Sequence, residues 1–280
     1  MATSRLLSII GAGILVLSTS LSPAQAGNIY ITGHDPDFHA QGQVSGQTQL
    51  RVGLNFVTEG TFDDGGQKFL WVESRLAPPS GFRLGELGLG TIGLTLGVNY
   101  DRANAAELAG VDFSAYSAIV VASSFGGMLT KAEINAMIAR KDDIKTFVNA
   151  GGGVFAMAEC FPASGFCASD NVDAATALFG FLPVSVTSVA TAAPYKVTAF
   201  GASLGLTDAD VSDCCTHNSF GTIAGLTIVD TDNNDVPTTL AGDVRIGDDG
   251  FVPSVPAPAT LVLLAIGVVA AGLSRRRISR

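Results

Sequence analysis

Tyr116–Met157 reads YSAIVVASSFGGMLTKAEINAMIARKDDIKTFVNAGGGVFAM, and its alternation decides the fold. Ala118–Ala122 (AIVVA) is a short, wholly apolar run of β-branched and small residues, the pattern of a strand buried on both faces. A small-residue loop, Ser123-Ser124-Phe125-Gly126-Gly127, follows it. Thr130 and Glu133 then form a capping box. Ile134, Met137, Ile138, Phe147 and Val148 continue as an apolar stripe, so a helix is expected over 130–149, with Gly151 able to end it. Gly153–Met157 (GVFAM) is the next strand. Strand, helix and strand at this spacing form a crossover unit, which requires the two strands to be parallel.

Working outward, Asn28–Thr32 (NIYIT), Lys68–Val72 (KFLWV) and Leu94–Val98 (LTLGV) read as further buried strands, and Leu50, Leu54 and Val57 share a helical face that Gly60 can stop. Beyond Asn171 the signals weaken to a helix at 172–179 and strands near 184–188, 226–230 and 238–246. The expected fold class is α/β: a single open, mostly parallel sheet with helices on both faces. In such sheets ligands sit outside the carboxyl ends of the strands. Those ends carry His34-Asp35-Pro36-Asp37-Phe38-His39, the Ser123–Gly127 loop and Ala158-Glu159-Cys160.

The chain has 280 residues, 25 acidic and 16 basic. Residues 1–26 and 259–280 contain no acid and hold Arg5, Arg275, Arg276, Arg277 and Arg280, which leaves eleven basic residues in an acidic middle with a net charge of −14. That balance excludes a basic nucleic-acid binder. The lack of an apolar run between the ends excludes a polytopic membrane protein. Residues 1–26 have the layout of a secretory signal peptide: Arg5, an apolar run over Leu6–Leu17, and Ala24-Gln25-Ala26 as the cleavage site. An uncleaved anchor is the alternative. At the other end, prolines 253, 256 and 258 precede Ala259–Leu273, fifteen residues with only Thr260 polar, and then three arginines. Such a helix is ~22 Å long, and its arginines belong on the cytoplasmic side.

The Val255–Leu261 stretch (VPAPATL), the short apolar helix and the arginine cluster together resemble the PEP-CTERM sorting signal of Gram-negative bacteria. Pro256, Pro258, Arg275, Arg276 and Arg277 match the pattern, whereas Ala257 stands where the family has Glu. The resemblance implies recognition by an exosortase in the inner membrane and delivery to the cell surface or extracellular matrix; a plain tail anchor is the alternative. Residues 27–252 form the expected domain and 253–280 the signal. Within the domain, Tyr116–Gly165 resembles the class I glutamine amidotransferase-like superfamily and its ThuA-like relatives, which implies a flavodoxin-like sheet. AIVVASSFGG corresponds to that family's strand and oxyanion loop, and GGGVFAMAEC to the approach to its nucleophile elbow. The family's catalytic cysteine falls on Ala158, and its later His-x-Glu pair falls on His217-Asn218-Ser219, which lacks the Glu. Two of three catalytic positions fail to match, so glutamine hydrolysis is not expected.

Four cysteines in an exported chain favour disulfides. Bridges joining the Cys160–Cys167 loop to Cys214 and Cys215 are favoured; a Cys160–Cys167 link beside a vicinal pair is the alternative. A catalytic reading makes Cys160 a nucleophile, His217 its base and Glu159 its orienter. His34, Asp35, Asp37 and His39 form a compact nitrogen and oxygen set that His217 could join, suited to a divalent metal; ordinary turn chemistry explains the same residues. Asp230–Asp235 (DTDNND) has calcium-loop spacing, but Asp235 replaces the glycine such a loop needs, so a hairpin turn is expected. The glycines of 85–97 lack the helix that a dinucleotide loop opens. The expectation is an exported surface or matrix protein with a non-catalytic, carbohydrate-binding domain and the inner membrane, an exosortase and exopolysaccharide as partners. The alternative is an exported hydrolase using Cys160 and His217, or a metal at His34, Asp35 and His39.

Overall fold

In a computed structural model, residues 26–159, 178–188, 193–212 and 216–254 are described. The signal peptide, all four cysteines, most of helix 172–179 and the sorting signal from Val255 onward lie outside them. Among the described residues no helix is long and apolar enough to cross a membrane.

The domain is α/β, built on one large mixed sheet. In chain order its first part comprises β1 (Gly27–Thr32), α1 (Pro36–His39), α2 (Val44–Val57), β2 (Phe69–Val72), α3 (Glu86–Thr91), β3 (Tyr100–Ala103) and α4 (Ala105–Leu108). Next come β4 (Ala118–Val121), α5 (Lys131–Ala139), α6 (Lys141–Asn149) and β5 (Gly153–Ala156). The second part comprises β6 (Val186–Ser188), β7 (Lys196–Val197), α7 (Ala199–Ser203), α8 (Asp208–Val211), β8 (Asn218–Phe220), β9 (Thr227–Thr231), β10 (Pro237–Ile246) and β11 (Phe251–Pro253). The strands run β3-β2-β4-β5-β1-β10-β9-β7, with β11 also on β10. From β3 to β1 all neighbours are parallel; β10, β9, β7 and β11 join antiparallel. Every residue of β2, β4 and β5 is buried, so both faces at the sheet centre are covered, as their unbroken apolar sequences require.

Two features depart from the expected single sheet. A separate two-stranded ribbon pairs β6 with β8, and four of the nine strands of the main sheet are antiparallel additions. The flavodoxin order, 2-1-3-4-5, appears in rearranged form: β2 to β5 occupy its first four places, and the fifth is filled by β1, the first strand of the chain. The order therefore reverses between β2 and β4, whose carboxyl ends flank the crevice.

The helix expected over 130–149 is two helices that break at Arg140, whose backbone leaves the helical region (φ −108°, ψ 19°). Its guanidinium donates to Leu108 O and Val111 O, both at 2.7 Å, and lies over the Phe113 ring; these contacts pull the residue out of the helical line. The Thr130–Glu133 capping box is present. Leu94–Val98 is not a strand: Leu96 and Val98 are exposed, and the edge strand is the next segment, β3. A short helix, α3, opens inside the glycine run where none was expected. Asp230–Asp235 does form the β9–β10 turn, with Asp232 Oδ1 accepting from Asn234 N and Val236 N.

Candidate functional site

The carboxyl ends of β1, β4 and β5 are laced together by main-chain bonds. Ala158 N donates to His34 O (3.0 Å), Ser124 N to Ala158 O (2.8 Å), and His217 N to Gly33 O (2.7 Å). Gly33 is required here, because a Cβ on it would lie 2.0 Å from Asn218 O. The segment entering β8 therefore runs directly against the end of β1, which carries His217 to a place about 180 residues away in sequence. Asn218 clamps the same junction: its Oδ1 accepts from Glu159 N (2.8 Å) and its Nδ2 donates to Glu159 O (2.7 Å).

Asp35 is the centre of the cluster. The single turn of α1 brings His39 back over it, so that His39 Nε2 lies 3.4 Å from Asp35 Oδ1; His217 Nε2 lies 3.4 Å from the same oxygen. That oxygen is buried and accepts no well-formed hydrogen bond, so both contacts are mainly electrostatic. The carboxylate side chain is 5% exposed, whereas the imidazoles of His39 and His217 keep 20% and 15%. Burial pushes the Asp35 carboxyl up, yet the two imidazoles outweigh it and hold the group below its usual range. Burial likewise pulls the His39 imidazole down, and the Asp35 charge overrides this and raises it. His217 also lies flat on the buried Phe125 ring of the β4 loop.

The four residues expected to act as one set divide into three directions. His34 Nε2 turns to Asp230 Oδ1 at 3.2 Å, where Thr238 Oγ1 also donates, and its ring meets Tyr195 edge-on. Asp37 turns to the β4 loop, its Oδ2 accepting from Ser123 N at 2.9 Å. Burial, with the Asp35 charge adding to it, raises the Asp37 carboxyl to about 6 against the opposing Ser123 bond. Only Asp35 and His39 stay together, and His217 joins them. Among the described residues no group of three or more His, Cys, Asp and Glu side chains is arranged to hold a metal ion.

The expected orienter of His217 is also replaced. Glu159 Oε2 accepts from Phe179 N, its other oxygen is buried without a hydrogen-bond partner, and burial raises the carboxyl to about 8. Asp35 is the carboxylate beside His217. Whether Cys160 approaches this imidazole lies outside the described residues, as does every disulfide pairing.

Sequence reasoning missed Glu73, at the carboxyl end of β2. It is fully buried and accepts from Trp71 Nε1 (2.9 Å), Gly85 N and Glu86 N (3.1 Å), and burial raises it to about 7. A Glu directly after the apolar run Phe69–Val72 was the available signal. A cavity of about 820 Å³, lined by Val57, Gln67, Tyr116, Arg140 and Gly152, lies at the opposite, amino-terminal edge of the parallel strands. Its arginine is already committed to Leu108, Val111 and Asp143, so the chemistry stays with the carboxyl edge.

Compared with protein-family models, curated proteins and solved structures, the chain matches none of them.

Proposed function

We propose that this chain is an exported protein of the cell surface or extracellular matrix, membrane-tethered until an exosortase removes its tail, whose amidotransferase-like domain binds carbohydrate without cleaving amides. The observation that carries the reading is the Asp35 carboxylate, held between the imidazoles of His39 and His217 at the carboxyl ends of parallel strands. The two rings are partly open to solvent, and the buried charge beneath fixes their orientation. Imidazole edges of this kind exchange hydrogen bonds with hydroxyl groups in either direction. The half-buried Phe38 lies 5.2 Å from the His39 ring, with the Arg83 guanidinium over it as a further donor at the rim. Ala158 at the elbow position supplies no nucleophile, which argues against amide hydrolysis. The matrix setting rests on the PEP-CTERM resemblance of the tail.

The test is saturation-transfer NMR on the full-length protein in detergent, titrated with oligosaccharides of matrix polymers. Binding that disappears in His217→Ala supports the reading. No saturation transfer to any saccharide, or transfer unaffected by His217→Ala, overturns it.

A hydrolase is the second reading, favoured by the His217–Asp35 contact, since a carboxylate beside an imidazole orients a general base. Release of new reducing ends from the same polymers, lost in Asp35→Asn, would establish it over simple binding.

A further inference from the structure

The residues around Asp35 close into a circuit. Arg83 N donates to Gly126 O at 2.7 Å, which ties the loop before α3 to the loop after β4. Gly126 has no side chain to hold the Phe38 ring away, since a Cβ on it would stand 2.5 Å from Phe38 Cγ. Phe38 is therefore packed against that loop. The Arg83 guanidinium carbon lies 5.5 Å from its ring centroid, and the His39 ring centroid lies 5.2 Å from it. His39 faces Asp35, Asp35 faces His217, and His217 lies on Phe125, the chain neighbour of Gly126. Three side chains that carry or can take a positive charge sit on this one circuit.

How those charges are already paired decides what they can hold. Arg51, Arg75, Arg102 and Arg140 are occupied by carbonyl or carboxylate oxygens. Arg83 is exposed, and among the described residues its guanidinium makes no ion pair; its contact is the Phe38 ring. Asp35 is one negative charge set against that guanidinium and two imidazoles. Two further acids at this edge, Asp37 and Glu73, are buried and accept from main-chain N–H groups. Burial raises them to about 6 and about 7, so in mildly acid solution they are mostly protonated and leave the rim charge standing. The domain as a whole is acidic, at −14 over residues 27–258, but distant charges are screened within ~8 Å at physiological salt. A ligand in contact with the circuit responds to the charges it touches.

We propose that the saccharide bound here is an acidic one, with a sugar carboxylate on Arg83 and neighbouring hydroxyl groups on His39 and His217. This rests on the carbohydrate reading given above and names the class of sugar within it. The guanidinium presents two parallel N–H donors whose spacing matches a carboxylate. The imidazole edges donate to or accept from hydroxyl groups, and once protonated they add to the attraction. A neutral saccharide would use the imidazoles and leave the guanidinium without a partner. A sugar carboxylate stays ionised down to about pH 4, so its charge and that of the circuit coexist in mildly acid solution.

The experiment titrates the full-length protein in detergent, at about pH 5.5, with oligosaccharides of galacturonate, glucuronate and mannuronate and with the methyl ester of each. An acid and its ester share sugar, linkage and chain length and differ in charge. At least one acid should bind about tenfold or more tightly than its ester, the scale of a charge-assisted hydrogen bond. Arg83→Gln should bring that acid down to the affinity of the ester and leave the ester and the melting temperature unchanged, because the Arg83 side chain is exposed. Equal binding of every acid and its ester, with both lost in His217→Ala, overturns the acidic class and leaves the carbohydrate reading standing. An acid preference that survives Arg83→Gln overturns the assignment to Arg83. If neither these compounds nor neutral oligosaccharides bind, the carbohydrate reading itself falls and takes this one with it.

Discussion

His217 lies flat on Phe125, with ring centroids 3.8 Å apart and planes 8° from parallel, while its Nε2 faces Asp35 Oδ1 at 3.4 Å. One contact fixes the plane of the imidazole and the other fixes its edge. Phe125→Leu keeps an apolar group in the loop but removes the stack, worth ~1 kcal/mol beyond its area. The expected outcome is a modestly lowered melting temperature together with a larger loss of ligand affinity than of stability. Calorimetry and titration on the same sample check it; affinity falling no more than stability would mean that the stack serves packing alone.

Asp35→Asn removes the charge that the two imidazoles share. His39 is raised in the native protein because the Asp35 charge overrides burial. With Asn in place only the smaller contributions of Gln43 and Asp37 oppose burial, so the His39 midpoint should fall from its raised native value. The sign for stability follows from linkage. A raised His39 contributes below its ordinary value and loses that contribution as pH rises through the folded value. A lowered Asp35 contributes above ~3.9 and loses its share as pH falls through its own folded value. The native pair is thus most stabilising in mildly acid solution, and Asp35→Asn should flatten that maximum. Imidazole proton NMR titration reads the midpoints directly.

The buried acids elsewhere act in the opposite sense. Glu159 is raised to about 8, Glu73 to about 7 and Asp37 to about 6. Between their unfolded values near 4 and these folded values, the native state binds more protons than the unfolded one, so stability falls as pH rises from about 4.5 to 8. Glu159→Gln keeps an acceptor for Phe179 N and removes the titration. It should raise stability at pH 8 by on the order of 3 kcal/mol and leave pH 4.5 nearly unchanged. Urea midpoints at the two pH values decide this, and equal effects at both would refute it.

What could be read in advance follows from how local each signal is. β2, β4 and β5 announce themselves because every residue is apolar and the sheet covers both faces. β3 does not: Asp101 and Arg102 sit in a strand with only one neighbour, paired with Lys68 and Glu86, and the apolar Leu94–Val98 before it drew the strand assignment instead. Arg140 broke a helix through contacts with carbonyls some thirty residues away. In the site, Asp35 and His39 are four residues apart and their proximity was legible. His217 became their partner only through the register of the segment entering β8 against Gly33, just past the end of β1, which no short-range pattern encodes.

That register hangs on Gly33. Any Cβ there would stand 2.0 Å from Asn218 O, a main-chain atom that cannot move alone. Gly33→Ala should push the β8 segment outward, at a cost of ~3 kcal/mol typical of forced overpacking, and it should displace His217 from Asp35. Urea unfolding measures the first effect. Loss of the Phe125 ring-current shift on the His217 imidazole protons reports the second, because the native imidazole is stacked on that ring.

The tail offers an independent check on export. If Arg275, Arg276 and Arg277 hold the cytoplasmic end of the membrane segment, replacing all three by Ala removes both the orientation bias and the basic part of the sorting signal. In a host that has an exosortase, the expected outcome is loss of surface delivery, with the chain retained in the inner membrane or inverted across it. Surface biotinylation and protease shaving of intact cells distinguish the two fates. Delivery as efficient as that of the unaltered protein would mean that VPAPATL and the apolar run suffice without the arginines, and the exosortase reading of this tail would have to be abandoned.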